Sequence, residues 1–176
     1  MANPNRLQRT LGKLDGLPGP LRRAARNLAL RRAVPFTGTA GLDFVALTPE
    51  RSEIHIANRG KVQNHIGGVH AAAMGLLAET ATGMVVGMNV RDDCLPLCKT
   101  MKVAFKKRAT GALTAQAHLT DAQRQLLATE TKGEVIVAVT VTDAAGVQPI
   151  ECEFVWAWIP KDPKKPQTPA NARNPS

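Results

Sequence analysis

The sequence predicts an α+β protein in which an antiparallel β-sheet curls around one long apolar helix. Three observations carry this prediction. Residues 62–90 contain one formally charged side chain, Glu79, when the histidines are neutral. Six alternating or β-rich runs lie around that segment, as expected of half-buried strands. Their order, two strands, one helix and then four strands, is typical of an antiparallel sheet with its helix on one face.

The first 40 residues are expected to form a basic extension that contains a short helix. Pro18 and Pro20 bracket the start of this helix, and its apolar residues share one face. We expect that face to dock on the protein rather than on an anionic membrane, because the apolar stripe is narrow. The stripe consists of Leu17, Leu21, Ala24 and Leu28, and it is opposed by Arg22, Arg23 and Arg26.

The main domain is expected to span residues 41–159. Its long helix, residues 68–89, is apolar nearly all round and must be enclosed, by the sheet on one side and by a second copy of the protein on the other. The polar, proline-rich tail of residues 160–176 is predicted to be disordered. The predicted strands are residues 43–48, 53–57, 99–106, 112–119, 134–142 and 150–159.

Charge and cysteine content bear on partners and compartment. The net charge of +9 resides in residues 1–32 and 160–176, whereas the rest of the chain is near neutral, which disfavours nucleic acid as a partner. A bilayer-spanning helix over residues 71–90 is not expected either, because Glu79 lies near its middle. Three cysteines and no signal-peptide pattern predict a cytoplasmic protein. Cys94 and Cys98 lack a second ligand pair at zinc spacing, so we expect small buried residues and no metal site.

Residues that can do chemistry cluster where the long helix begins. They are Asn64, His65, His70 and the pair Gly67 and Gly68, with Glu79 further along. A helix N-terminus offers unpaired N–H groups and a dipole that favours an oxyanion. A lone carboxylate in an apolar segment is costly to bury. A catalytic role is the most specific explanation for the presence of Glu79 in this segment.

The spacing of these residues predicts a dimer. Glu79 follows His70 by nine residues, which places it about 13 Å along the helix axis and on the opposite side. One helix cannot bring the two together. If they cooperate, two antiparallel helices from an isologous pair must supply each site.

The segment Asn64-His65-Ile66-Gly67-Gly68-Val69-His70-Ala71-Ala72-Ala73, followed by Leu77-Ala78-Glu79, resembles the signature of hotdog-fold acyl-CoA thioesterases of the phenylacetyl-CoA thioesterase type. The resemblance extends over about residues 41–159 and implies a hotdog fold. It also implies a dimeric or tetrameric thioester hydrolase that uses no cofactor, because coenzyme A belongs to the substrate. The chain departs from that family at Ala71-Ala72, where the family has two glycines.

Carried over to this chain, the resemblance assigns roles to four residues. Glu79 is the general base or nucleophile, and the Ala71 N–H binds the thioester oxygen. Asn64 orients the water or the carbonyl, and His70 shapes the oxyanion loop. Many members of the family also use a serine or threonine hydroxyl to assist catalysis, and in this chain Thr80, Thr82 and Thr100 are all candidates for it. The phosphates of coenzyme A suit the basic residues at one strand end, unless these form only a solvated turn: Lys106, Lys107 and Arg108.

Two other functions stay open at this point. Hotdog dehydratases place a histidine fourteen residues before a helical glutamate, and His65 and Glu79 have that spacing, although the proline-rich loop of that family is missing. The other is a non-catalytic acyl-CoA-binding protein, for which the basic N-terminal helix would be an interaction arm.

Overall fold

The computed structural model describes residues 3–162 and contains five α-helices, one short 3₁₀ helix (Gly60–Val62) and six strands in that range. The strands form one antiparallel sheet in the order β1-β2-β4-β5-β6-β3. The helices are α1 (Arg6–Gly12), α2 (Gly19–Ala33), α3 (Pro35–Ala40), α4 (Ala71–Gly87) and α5 (Asp121–Thr129). The strands are β1 (Asp43–Leu47), β2 (Arg51–Ile56), β3 (Cys94–Phe105), β4 (Leu113–His118), β5 (Gly133–Asp143) and β6 (Ile150–Pro160).

The predicted α+β class and the curled sheet around one long helix are confirmed. The six strands match the predicted runs within a few residues, except that β3 begins at Cys94 rather than at residue 99. This early segment includes Pro96, which a strand tolerates at a sheet edge because the missing N–H removes no inner hydrogen bond. The strand β3 is such an edge, since β6 is its only neighbour in the sheet.

Helix α4 is the centre of the core. Leu77, Ala78, Ala81 and Val85 are 0% exposed where the helix lies against the sheet. The hydroxyl of Ser52 on β2 also donates a 2.6 Å hydrogen bond to the carbonyl of Ala81, which ties sheet and helix together. Burial of this face follows from the apolar sequence, because each fully buried aliphatic side chain contributes about 1.5–3 kcal/mol.

The N-terminal helices dock on this core, and Asn27 is the main polar anchor. Its Oδ1 accepts a 2.9 Å hydrogen bond from the Phe44 N–H, and its Nδ2 donates to Asp43 at 2.8 Å. The Arg23 guanidinium forms an ion pair with the same Asp43. The anchors therefore differ from the apolar stripe predicted for docking, and two of its leucines are largely exposed: Leu21 at 59% and Leu28 at 57%.

Three helices were not predicted from the sequence, and each has a local feature that starts it. Helix α5 is only nine residues long, but Thr120 and Gln123 form a reciprocal capping box at its start, which is a recognisable sequence signal. Helix α1 is preceded by Asn5, whose side chain caps it and also donates to the carbonyls of Gly87 and Val90. Helix α3 follows α2 directly, with Pro35 in its first turn.

The edge of the sheet formed by β3, called the free edge, is apolar. Four side chains of β3 are exposed although they are large and apolar: Leu95 41%, Leu97 43%, Met101 55% and Phe105 55%. An exposed edge strand of twelve residues with such side chains is a surface that pairs readily with another strand. The expected burial holds for Cys94 but is wrong for Cys98, which is exposed on this edge beside a bulge.

None of the helices in residues 3–162 is long and apolar enough to cross a membrane. Of the tail predicted to be disordered, residues 163–176 lie outside the described residues. The prediction is wrong at its start, because Pro160 is the last residue of β6 and the Lys161 N–H donates to the Asp93 carbonyl at 2.8 Å.

The docking of α2 generates the first testable prediction. Replacing Asn27 by Leu leaves the buried Phe44 N–H without its acceptor, so we expect a loss of about 1–3 kcal/mol in unfolding free energy. Urea unfolding followed by circular dichroism measures it. The matched control is Leu28→Asn, an exposed position on the same helix that should change stability by less than about 0.5 kcal/mol. Equal losses in both variants would contradict the anchoring role.

Candidate active site

A tight loop precedes α4, and Asn64 closes it. The Asn64 Oδ1 accepts hydrogen bonds from the N–H groups of Ile66 at 3.1 Å and Gly68 at 3.0 Å. Gly67 has a φ of 75°, a backbone conformation that favours glycine. Asn64 thus holds the loop with its side-chain carbonyl oxygen, and its side-chain amide nitrogen makes no hydrogen bond within residues 3–162.

His70 is the N-cap of α4. Its Nδ1 accepts a 3.0 Å hydrogen bond from the Ala72 N–H, so the neutral ring carries its proton on Nε2. The N–H groups of Ala73 and Met74 donate to the His70 carbonyl. Within residues 3–162 the Ala71 N–H has no acceptor, and Ala71 is exposed. One backbone donor at the positive end of the helix dipole therefore points to solvent.

Glu79 lies in the middle of α4 and is partly buried. Burial raises the pKa of its carboxyl group above the usual 4.5, and the Thr80 hydroxyl, at 3.5 Å from Oε2, lowers it in part. No lysine or arginine in the described range forms an ion pair with it. A carboxylate with a raised pKa is a stronger base than a solvated one, which suits general base catalysis.

The three candidate helper threonines differ in their contacts. Thr80 is the one whose hydroxyl reaches the Glu79 carboxylate. Thr82 is fully buried, donates to the Glu79 carbonyl at 2.9 Å and accepts from the Trp156 indole N–H at 2.9 Å, so its hydroxyl is already used. Thr100 lies on β3 at the bulge.

Within one chain the two halves of the candidate site are apart. Ala71 and Glu79 are eight residues apart on one continuous helix, a separation of about 12 Å along its axis. Burial raises the pKa of the Cys98 thiol on β3, and the negative charge of Glu79 raises it further.

The three basic residues after β3 lie beside the loop that precedes α4. The Arg108 guanidinium donates to the carbonyl of Ile66 at 3.3 Å, and Lys106 forms a 3.0 Å ion pair with Glu151. Lys107 is exposed. The segment thus places cationic groups at the same end of α4 as the Ala71 N–H, which the sequence alone did not predict.

A pocket of about 330 Å³ opens beside Glu79. One of its walls comes from the end of α2 and the start of α3, through Leu30, Val34, Phe36 and Thr37. This segment lies more than forty residues before Glu79 along the chain, so no local sequence pattern could predict that the two are close in space. A larger cavity of about 470 Å³ lies between α1, α2 and β1, but it contains none of the candidate residues.

His65 lies in the turn formed by the loop and is exposed. The structure describes no hydrogen bond from its imidazole to a residue in the range 3–162.

Similarity to known structures is consistent with this description. The chain resembles a protein of unknown function from Pseudomonas aeruginosa that is named a probable thioesterase, with 24% identity and a TM-score of 0.70 over 82% of this chain and 97% of that one. It also resembles the thioesterase HI1161 from Haemophilus influenzae, with 12% identity and a TM-score of 0.63 over 77% and 90%. A thioesterase from Staphylococcus aureus, solved as a variant with a glutamine replaced by alanine, has 17% identity and a TM-score of 0.62 over 72% and 100%.

These similarities define the class: a hotdog-type α+β fold, as the resemblance in the sequence implied. Residues 22–159 match the family described as "Domain of unknown function (DUF4442)", and the chain belongs to that family. The match begins inside α2, so the family includes part of the N-terminal extension. No curated protein matches the chain.

The burial of Glu79 generates a prediction about stability and pH. Because the folded pKa is raised, the wild-type protein loses stability as the pH rises from about 4.5 through the folded pKa. Glu79→Gln cannot ionise, so we expect it to have the higher melting temperature at neutral pH and a similar one near pH 4.

Thermal unfolding at several pH values measures this difference. Glu134→Gln is the control, because Glu134 is half exposed on the sheet surface and paired with Lys99. A Glu79→Gln protein less stable than wild type at neutral pH would show that the carboxylate has a stabilising partner.

Proposed function

We propose that the protein hydrolyses acyl-CoA thioesters at a site shared by two copies of the chain. The observation that carries the proposal is Glu79, a partly buried carboxylate with a raised pKa that lines an apolar pocket and has no cationic partner within residues 3–162. A structural carboxylate is normally paired. An unpaired one costs stability, and a role as a base explains why it is there.

The second copy is supported by the free edge of the sheet. Strand β3 exposes Leu95, Leu97, Met101 and Phe105, and β6 is its neighbour on one side, which leaves its other side free within residues 3–162. Antiparallel pairing of two β3 edges would bury this apolar surface and extend the sheet. It would also bring the helix start of one copy towards the mid-helix carboxylate of the other, which one chain cannot do by itself.

In the proposed reaction, Glu79 takes a proton from a water molecule whose oxygen attacks the thioester carbonyl carbon. The carbonyl oxygen becomes an oxyanion that accepts a hydrogen bond from the partner's Ala71 N–H, at the positive end of its helix dipole. When the intermediate collapses, the C–S bond breaks and the sulfur takes the proton from Glu79. The products are a carboxylic acid and coenzyme A. A thiolate is a good leaving group, so a base and one or two donors suffice.

The named neighbours lend coarse support to hydrolase activity. The Staphylococcus aureus thioesterase was studied as two alanine variants, of a glutamine at position 32 and of a glutamate at position 47 of that protein. Those positions are fifteen residues apart, as are Asn64 and Glu79 in this chain. The equal spacing supports Asn64 and Glu79 as the pair to test first.

Two point variants test the shared site. Ala71→Pro removes the free N–H, and proline is well tolerated at the first helical position, so the fold should survive. We expect the turnover rate to fall about 100-fold or more, whereas the control Ala71→Ser, which keeps the N–H, stays within a few-fold. Glu79→Gln should abolish most activity.

Mixing the two inactive chains gives the decisive result. A mixed dimer of Ala71→Pro and Glu79→Gln chains has one site with both defects and one with neither, so random assembly should restore about a quarter of wild-type activity. Free thiol release from an acyl-CoA measures it. A mixture no more active than its components would show that each site lies within one chain.

Hydration of an enoyl-CoA without thiol release would instead indicate a dehydratase that uses His65.

Coenzyme A recognition by residues 106–108 generates a further prediction. Lys107→Glu should raise the KM for acyl-CoA about 3- to 10-fold, because an exposed cation that binds a phosphate is replaced by an anion. The KM for the matching acyl-pantetheine, which lacks the nucleotide phosphates, should not change. The control Lys132→Glu makes the same charge change on another exposed turn. If the Lys107 variant has an unchanged KM for both substrates, residues 106–108 form only a solvated turn and do not bind coenzyme A.

A further inference from the structure

The pocket beside Glu79 has a lining with a definite chemical character. Leu30, Val34 and Phe36 form the wall contributed by the N-terminal helices. Thr37 also lines this wall, but its hydroxyl already donates to the Val34 carbonyl at 2.7 Å. The N-terminal wall therefore offers a ligand almost only apolar contact.

The opposite side of the pocket is formed by the sheet and α4. Phe44 and Trp156 line it from β1 and β6, and the Trp156 ring is held in place by its hydrogen bond to Thr82. A Cβ at Gly83 would lie 2.7 Å from the Trp156 ring, so only glycine lets the indole pack against the helix here. Glycine inside a helix costs about 1 kcal/mol, and this close approach explains why it is present.

Among residues 3–162, Glu79 is the one ionisable residue that lines the pocket. A ligand group with its own charge would have to shed water without finding a cation, which is costly. An uncharged hydrocarbon group finds complementary walls. The pocket and the candidate base are also contiguous, so a hydrocarbon seated there has its attached carbonyl next to Glu79.

We propose that this pocket binds the acyl chain of the substrate and that helices α2 and α3 set the chain length accepted. The inference rests on the proposed thioesterase function and names the substrate class for it: unsubstituted acyl groups of medium length. The pocket volume of about 330 Å³ is roughly twice that of a 150 Å³ apolar cavity that binds benzene, which corresponds to about a dozen carbon atoms. Acetyl groups leave most of it empty, and a sixteen-carbon chain exceeds it.

Binding of S-alkyl-coenzyme A thioethers tests the proposal without any hydrolysis. Calorimetry with butyl, octyl, decyl and hexadecyl derivatives should show an affinity that rises by up to about fourfold per methylene, the equivalent of about 0.8 kcal/mol for each buried CH₂. The rise should stop near ten to twelve carbons. An affinity independent of chain length between butyl and decyl would overturn the proposal.

Variants in the N-terminal wall assign the effect to this pocket. Val34→Trp should fill the pocket and weaken decyl binding at least tenfold while changing butyl binding less than twofold. Leu28→Trp is the matched control, since Leu28 is exposed on α2, the helix that ends just before Val34, and does not line the pocket. Phe36→Ala is a second variant, because Phe36 is 62% exposed and its removal should leave the fold intact while weakening decyl binding about fivefold.

The same proteins assayed for thiol release separate this inference from the proposed function. Chain-length-dependent binding that Val34→Trp abolishes, without any thiol release, would support the pocket and contradict hydrolysis. Thiol release with the same acyl preference in wild type, Val34→Trp and Phe36→Ala would support hydrolysis and overturn the pocket.

Discussion

Helix α4 is apolar on almost every side, and the rest of the structure depends on how it is covered. The sheet buries the face that carries Leu77, Ala81 and Val85. Asn5 ties α1 to the end of the helix, and α2 and α3 approach its middle around the pocket. The positions of α4 that stay partly exposed around the pocket are Leu76, Glu79, Gly83 and Met84. Strand β3, an edge of the sheet, separately exposes large apolar side chains.

Glu79 lies at the boundary between the covered and the open part of this helix. Its carboxylate is removed from water far enough for burial to dominate its pKa, yet the described residues provide it with no cation. Such a group lowers the stability of the folded protein, and burial in the surrounding core must offset this loss. Stability is commonly sacrificed in this way where a protein needs a reactive group. The same desolvation strengthens it as a base.

The start of α4 favours negative charge, because the free N–H groups and the positive end of the helix dipole lie there. His70 caps the second N–H, Asn64 shapes the preceding loop, and the first N–H has no acceptor within residues 3–162. Arg108 joins this end of the helix through Ile66. The Ala71 N–H and the Glu79 carboxylate are thus carried by one helix but separated along its length, and under the proposed function they meet only between two copies. Under the same proposal the N-terminal helices have two roles, as cover for the core and as a wall of the acyl pocket.

The sequence by itself determined the elements whose signals are local. The apolar run around Glu79 and the alternating strands specify α4 and the sheet, because helical and strand periodicities are set within a few residues. Short helices such as α5 were missed since a nine-residue segment has little periodicity, although its capping box was present. Only the tertiary structure decided that Leu30 and Phe36 line the pocket at Glu79, that Arg108 lies beside the loop of Asn64, and that Cys98 is exposed. These placements depend on contacts between residues distant along the chain, which packing of the whole molecule selects and no local pattern encodes.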